Sequence, residues 1–136
     1  ELEFTLLAEG IRNLGLLWVL IQNGTLLNGS ILFWDEPETN LNPKLMRTVV
    51  EILIELQRMG VQLFVSTHNY SLLKEFDLQK SATDHVLFHS LYRDSMGNIK
   101  ADSFTDYEAL TPNAIDDAFA GMVDREIQQS MGGLGQ

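Results

Sequence analysis

Hydrophobic and polar positions are grouped along the chain so that they predict a strand, a helix and a second strand in succession. The run Ser30–Trp34 is short and apolar, as is typical of a strand buried on both faces. Asn42 and Pro43 then suit a helix cap and a first helical turn, and the helix is expected to stop before Gly60. A second apolar run, Val61–Thr67, follows. This order predicts a parallel βαβ unit.

The flanking segments complete an α/β prediction. Glu9 to about Gln22 is apolar on nearly every side, which is typical of a helix inside a larger domain. A short helix is expected at "YSLLKEF", a β-hairpin around "SMGN", and a last helix opening at Pro112 with Thr111 as its cap. The Gly-rich end, residues 131–136, is predicted to be a flexible tail. The expected fold is therefore a parallel sheet with flanking helices, followed by a hairpin and a helix.

Composition narrows the choice of partners. With 136 residues, 45% of them hydrophobic, the chain can form one domain with a real core. Its formal charge of −10 repels phosphate backbones, so nucleic-acid binding is expected elsewhere in an intact protein rather than on this segment. The absence of cysteine excludes disulfides and thiolate sites and fits a cytoplasmic setting. The most apolar stretch, Leu14–Gly24, is too short for a membrane span.

Chemically capable side chains follow both predicted strands at the point where each ends. Asp35 and Glu36 come after the first strand, and Thr67, His68 and Asn69 after the second. The carboxyl ends of parallel strands meet at one edge of a sheet, where ligands commonly bind. Adjacent carboxylates at the end of a buried strand are costly without a partner. A metal ion carrying a phosphate is the partner that this pattern favours.

Four segments, taken in order, resemble one family. Residues 31–36, "ILFWDE", resemble a Walker B strand, and residues 39–43 of "DEPETNLNP" resemble the adjoining D-loop. His68 stands where ATP-binding-cassette ATPases keep a switch histidine, and "LAEGIRNLG", residues 7–15, where they keep a signature motif. The chain resembles the C-terminal half of an ABC-type, AAA-like P-loop ATPase head, of the kind found in SMC proteins, OLD nucleases and phage-defence proteins.

The resemblance implies a role for each matching residue. Asp35 is expected to bind Mg²⁺, Glu36 to activate the attacking water and His68 to contact the γ-phosphate of ATP. The remaining expected nucleotide contacts come from the signature-like and D-loop segments: Ala8, Glu9, Gly10, Asn40 and Asn42. An intact member of this family binds and hydrolyses ATP as a homodimer with nucleotide sandwiched between its heads, and closure of the dimer drives an attached activity.

Departures from the family pattern limit what this chain is expected to do. Ala8 and Glu9 replace the signature serine and a glycine, and Asn42 replaces the D-loop aspartate. No G-x-x-x-x-G-K-[ST] motif, the phosphate-binding P-loop, occurs in the sequence. Residues 1–136 are therefore expected to be the C-terminal portion of one ABC-type ATPase domain whose Walker A half is missing, and to be inactive without it.

Two other functions remain open. A metal-dependent nuclease could use Asp35, Glu36, Glu38 and His68, although it would need a further acidic ligand. A decayed ATPase could serve as a non-catalytic dimerisation or regulatory domain, which the altered signature favours.

Structural roles are expected for several other residues. Glu38 by itself is expected to be a solvated acid or one that interacts with a helix dipole. Trp18 and Trp34 are expected in the core, and His85 and His89 are expected to be structural residues of a strand.

Overall fold

The computed structural model describes residues 2–132, with side chains described for residues 11–131. The chain divides into two compact units, one ending at Val86 and the other beginning at Leu87. The first contains α1 (Leu2–Gln22), β1 (Ile31–Asp35), α2 (Met46–Arg58), β2 (Gln62–Ser66) and α3 (Tyr70–Gln79). The second contains β3 (Phe88–Arg93), β4 (Ile99–Phe104) and α4 (Ala114–Gly132). Short 3₁₀ turns occupy Pro43–Leu45 and Tyr107–Ala109.

The predicted βαβ unit is confirmed. β1 and β2 pair in parallel, in a register that runs from Ile31 opposite Gln62 to Asp35 opposite Ser66. A parallel pair needs a long crossover, and α2 lies in the connection between the two strands. This register ends both strands together, so the segments after Asp35 and Ser66 leave the sheet at the same edge.

The two ends of the crossover helix follow from local chemistry. The Asn42 side chain accepts a hydrogen bond of 3.0 Å from the Lys44 backbone N–H, and Pro43 opens the 3₁₀ turn that leads into α2. After α2, Gly60 has φ of +89°, a conformation that L side chains rarely adopt. A Cβ at Gly60 would also lie 2.6 Å from the Asn28 side-chain oxygen. The positive φ therefore favours glycine where the helix ends.

The core of the first unit is built on the apolar stripe of α2. One cluster of buried side chains joins α2 to α3: Met46, Val49, Val50, Leu53, Ile54 and Leu72. A second cluster joins α2 to α1, to the connection between α1 and β1, and to the residue before β2: Leu17, Leu26, Leu56 and Val61. Trp34, partly buried, packs against both clusters, as expected of a core residue. Both clusters thus hold β1 and β2 against the helices.

The prediction that β1 is buried on both faces is wrong within the described residues. Alternate side chains of a strand point to opposite faces, and only one face of this two-stranded sheet is covered by helices. Phe33 is 73% exposed on the other face, where its ring stacks on Phe64 with 4.8 Å between centroids. An apolar run in the sequence records that both faces are hydrophobic, not that both are covered.

Helix α1 departs from the prediction in two respects. It begins at Leu2 rather than near Glu9, although it ends at Gln22 as expected. Leu17 is buried while its neighbour Trp18 is mostly exposed, so the assignment of Trp18 to the core is wrong. Successive helical residues lie about 100° apart, so a helix packed on one side exposes part of an all-round apolar sequence. None of the helices within residues 2–132 combines the length and apolar character needed to cross a bilayer.

The hairpin of the second unit is present where the sequence predicts it. β3 and β4 pair antiparallel from Phe88 opposite Phe104 to Arg93 opposite Ile99. His89 lies in β3, where its Nδ1 is 2.6 Å from the Ser103 hydroxyl of the opposite strand. His85 precedes β3 and is not part of a strand.

The last helix begins and ends later than predicted. Asn113, not Thr111, caps α4, because its side-chain oxygen accepts the Asp116 backbone N–H at 3.2 Å. The helix includes Met131 and Gly132, so the predicted tail is helical at its first two residues. Residues 133–136 lie outside the described part of the chain.

An ion pair joins the end of α2 to the segment that follows α3. The Arg58 guanidinium donates two hydrogen bonds of 2.8 Å, from Nε and Nη2, to the two carboxylate oxygens of Asp84. The Asp84 side chain is 2% exposed and also accepts the Ser81 backbone N–H at 2.8 Å. Arg58 first, and then this N–H, hold the pKa of Asp84 well below its ordinary range.

This pair is expected to make the stability of the first unit depend on pH. A carboxyl whose pKa is lower in the folded chain stabilises it above the unfolded pKa of about 3.9, and that contribution disappears as pH falls towards the folded value. Asp84→Asn should therefore lower the thermal midpoint at pH 7 by several degrees and flatten its decline between about pH 5 and pH 3. Asp124→Asn, at an exposed position of α4, controls for the lost charge. Parallel pH profiles for Asp84→Asn and the unaltered chain would contradict the assignment.

Candidate functional site

Asp35 is the last residue of β1 and lies opposite Ser66 at the end of β2. Its carboxylate accepts a hydrogen bond from the Ser66 hydroxyl, which orients one carboxylate oxygen and leaves the other for a ligand. The residue is exposed. The register of the parallel pair therefore presents two oxygen-bearing side chains together at the open edge of the sheet.

Glu36 begins the turn that leaves the sheet. Its φ is +45°, in the left-handed region that non-glycine residues rarely occupy. Its backbone N–H donates to the Ser66 carbonyl at 2.9 Å, and its own carbonyl accepts the Thr39 N–H at 3.0 Å. These two bonds hold the residue in its unusual conformation. Such strain at a polar residue is a feature of functional sites.

The Glu36 carboxylate lies beside the predicted switch histidine. One oxygen is 2.8 Å from Nδ1 of His68, and the other accepts the Thr39 hydroxyl at 3.0 Å. The His68 side chain is 77% exposed and that of Glu36 41% exposed, so both can contact a ligand. The two segments brought together are separated along the chain by the whole crossover helix. This proximity is what the ends of two adjacent parallel strands should produce.

Glu38 has a role that the sequence did not indicate. It is only 7% exposed, so the expectation of a solvated acid is wrong. One carboxylate oxygen accepts the Thr67 hydroxyl, and Thr67 in turn accepts the Asn69 backbone N–H at 3.0 Å. The signal that the sequence offered was the position of Thr67, a hydroxyl residue between an apolar strand and a histidine. Nothing in the local pattern around Glu38 indicated its burial.

The two D-loop residues Asn40 and Asn42 have different structural roles. Asn40 has φ of +62°, which asparagine tolerates better than most residues, and it helps the chain turn between β1 and α2. The side-chain oxygen of Asn42 accepts the Lys44 N–H, so Asn42 is a cap, but of the 3₁₀ turn at Pro43–Leu45 and not of α2, whose N-cap is Leu45. Any nucleotide contact of Asn42 would be additional.

The signature-like residues lie within a helix rather than at its start. Ala8, Glu9 and Gly10 follow the first turns of α1, which begins at Leu2. A backbone N–H beyond the first turn of a helix is bonded inside it, so the expectation that these residues begin the helix is wrong, while their contact with nucleotide stays a prediction. The side chains of these three residues lie outside the described side chains.

The donor set at the sheet edge suits one kind of metal ion. Within the described residues, no three Asp, Glu, His or Cys side chains are grouped so that they could hold a metal. Mg²⁺ commonly keeps several waters and takes only one or two protein carboxylates together with substrate phosphates. Asp35, with the Ser66 hydroxyl beside it, fits that requirement. The site can supply oxygen ligands to a metal-phosphate complex but not a closed protein cage.

Comparison with known proteins assigns the chain to a family. A family profile described as "AAA domain, putative AbiEii toxin, Type IV TA system" matches residues 1–74, which include the whole sheet edge. The arginine transport ATP-binding protein ArtM of Bacillus subtilis is 30% identical over 70 residues, which cover 52% of this chain and 27% of that protein. The energy-coupling factor transporter ATP-binding protein EcfA of Methanothermobacter thermautotrophicus is 35% identical over 46 residues, which cover 34% of this chain and 15% of that protein.

The extent of these matches differs from one comparison to the next. The chain spans about a quarter or less of the length of these two relatives. No solved structure matches it significantly. The family profile, in contrast, covers more than half of the chain and includes Asp35, Glu36 and His68. The chain therefore belongs to this AAA-domain family, among the ABC-type and AAA-type P-loop ATPases.

Proposed function

We propose that this chain contributes the water-activating edge of an ATP-binding ATPase. The observation that carries the proposal is the 2.8 Å contact between the Glu36 carboxylate and His68 Nδ1, made next to Asp35 at the ends of two parallel strands. Hydrolysis of a phosphoanhydride needs charge neutralised on the phosphates and a water held in line. A metal-binding carboxylate, a base and a phosphate contact at one edge supply those requirements.

Each side chain has a separate task in this proposal. Asp35 holds Mg²⁺, directly or through water, and the Ser66 hydroxyl fixes the orientation of its carboxylate. Mg²⁺, when bound, neutralises charge on the phosphate oxygens. Glu36 accepts a proton from the attacking water, and the Thr39 hydroxyl holds the carboxylate that does so. His68 donates a hydrogen bond to the γ-phosphate while its other ring nitrogen stays beside Glu36.

The complete activity depends on partners beyond these residues. No P-loop sequence occurs in the chain, so we propose that a Walker A segment outside it cradles the nucleotide phosphates. We propose further that the intact protein is a cytoplasmic homodimer with ATP between its subunits, Ala8–Gly10, Asn40 and Asn42 lying near the nucleotide. The closing motion would drive an attached activity. The formal charge of −10 favours placing any nucleic-acid contact elsewhere in the protein.

A non-catalytic dimerisation or regulatory domain is the second candidate. The position of Ala8, Glu9 and Gly10 inside α1 favours it, because those backbone groups are not available to a phosphate in this conformation. The nuclease alternative receives no such support, since no three Asp, Glu, His or Cys side chains among the described residues are grouped so that they could hold a metal.

Removal of the metal-binding carboxylate tests the proposal directly. With full-length protein, Asp35→Asn should raise the Mg²⁺ concentration that gives half-maximal ATP hydrolysis by about 10- to 100-fold, because the amide is a weaker ligand. Asp124→Asn, at an exposed helical position, should leave that concentration unchanged. Phosphate release measured across a Mg²⁺ titration gives the answer. Full-length protein that binds ATP without any Mg²⁺-dependent hydrolysis would instead support the dimerisation domain.

A further inference from the structure

Glu38 is a buried carboxylate that the proposed mechanism does not use. Its side chain lies in the turn that follows Glu36 and is almost fully buried. The Thr67 hydroxyl donates to one oxygen, Oε1. Among the residues described, none hydrogen-bonds the other oxygen, Oε2, which is also buried. Within the described residues, one oxygen of the carboxylate therefore has a hydrogen-bond donor and the other has none.

Stability alone does not account for a carboxylate in this place. A buried polar group without its hydrogen bonds costs free energy, and a charged group costs more. An apolar side chain of similar volume would avoid that cost altogether, but it could not accept the Thr67 hydroxyl. A group that is unfavourable for folding and lies next to a candidate site calls for a functional explanation.

The contacts of Glu38 link the two turns that form the site. The Asn69 backbone N–H donates to the Thr67 hydroxyl oxygen, and the Thr67 hydroxyl donates to Glu38. His68 lies between Thr67 and Asn69, so both of its neighbours belong to this chain of hydrogen bonds. The turn after β1 is thereby tied to the turn after β2 alongside the Glu36–His68 contact.

We propose that Glu38 and Thr67 are positioning residues that set the approach of His68 to Glu36. This inference rests on the proposed ATPase function for its kinetic consequences, but not for its structural ones. Among the described residues, the exposed His68 side chain contacts Glu36, and loss of the Glu38–Thr67 bond removes a side-chain link between the turns that position these two residues. Misplacement of a reacting group by about 1 Å can cost about 100-fold in rate.

Kinetics of full-length protein test the proposal with two substitutions at each residue, one that removes the Glu38–Thr67 hydrogen bond and one that can keep it. Glu38→Ala and Thr67→Val should each lower kcat for ATP hydrolysis by about 10- to 100-fold with KM for ATP nearly unchanged. Glu38→Gln retains an acceptor oxygen and Thr67→Ser retains a hydroxyl, so both should recover most of kcat. The double variant Glu38→Ala/Thr67→Val should be no slower than either single variant, because both remove one interaction. A kcat that stays unchanged in Glu38→Ala would overturn the proposal.

An NMR measurement separates this proposal from the ATPase proposal. In the 136-residue chain without nucleotide, a nuclear Overhauser contact between the His68 ring and the Glu36 side chain should be present. It should be lost in Glu38→Ala and Thr67→Val and kept in Glu38→Gln and Thr67→Ser. If unaltered full-length protein does not hydrolyse ATP but the contact follows this order, the ATPase proposal fails and the positioning role stands. Persistence of the contact in Glu38→Ala would overturn the positioning role, whatever the turnover.

Discussion

Glu36→Gln should reduce ATP hydrolysis by full-length protein about 10²- to 10⁴-fold while ATP binding persists. The amide cannot accept a proton from water, but it has the same shape and can still accept the Thr39 hydroxyl that now bonds to Oε2. Asp35 is untouched, so the proposed metal ligand remains. Single-turnover phosphate release measures the chemical step, and equilibrium binding of a non-hydrolysable ATP analogue measures affinity.

A matched variant separates loss of the base from loss of fold at this position. Glu51→Gln makes the same chemical change at an exposed position of α2 and should leave turnover unaltered. Glutamate and glutamine are both unbranched at Cβ, so the left-handed backbone at residue 36 should tolerate either equally. Turnover in Glu36→Gln equal to that of the unaltered protein would refute the proposed base.

Leu53→Ala should destabilise the first unit by about 2–5 kcal/mol. Leu53 is completely buried in the cluster that joins α2 to α3, so truncation leaves a cavity as well as losing apolar contact. A domain of this size is commonly stable by only about 5–15 kcal/mol, so the loss is a large share of the total. Urea denaturation followed by circular dichroism should give a midpoint shifted well below that of the unaltered chain.

Leu78→Ala provides the control for this measurement, because it makes the same truncation at a helical leucine that is 70% exposed in α3. Its effect should stay within about 0.5 kcal/mol, the usual range for surface substitutions. Equal midpoint shifts in the two variants would mean that the α2 stripe is not the centre of the core.

The parts of the fold that sequence predicted are those governed by local chemistry. Asn42 caps its turn because its side-chain oxygen lies only two residues away from the Lys44 backbone N–H that donates to it. Glu36 and His68 meet at one edge because any parallel pair joined by a helix brings together the ends of its strands. Both conclusions needed only short-range pattern and one general rule of sheet topology.

The failures concern burial, which depends on distant neighbours. Glu38 and Trp18 were assigned from residue type, yet the acid is buried and accepts the Thr67 hydroxyl, and the tryptophan is exposed. The exposure of Phe33 was also missed, because an apolar strand sequence does not indicate which elements pack against its faces. The start of α1 was placed too late, although no residue between Leu2 and Glu9 is a glycine or a proline that would mark a helix boundary.

The left-handed backbone of Glu36 creates a conflict at one residue between resistance to unfolding and the proposed hydrolytic activity. Glycine adopts this conformation without steric cost, so a chain selected only for resistance to unfolding would be expected to drift towards glycine there. Such a change would remove the carboxylate next to His68. Screens for thermostable variants should therefore exclude this position, since a stabilised chain recovered from it would have lost the group that the proposed hydrolysis requires.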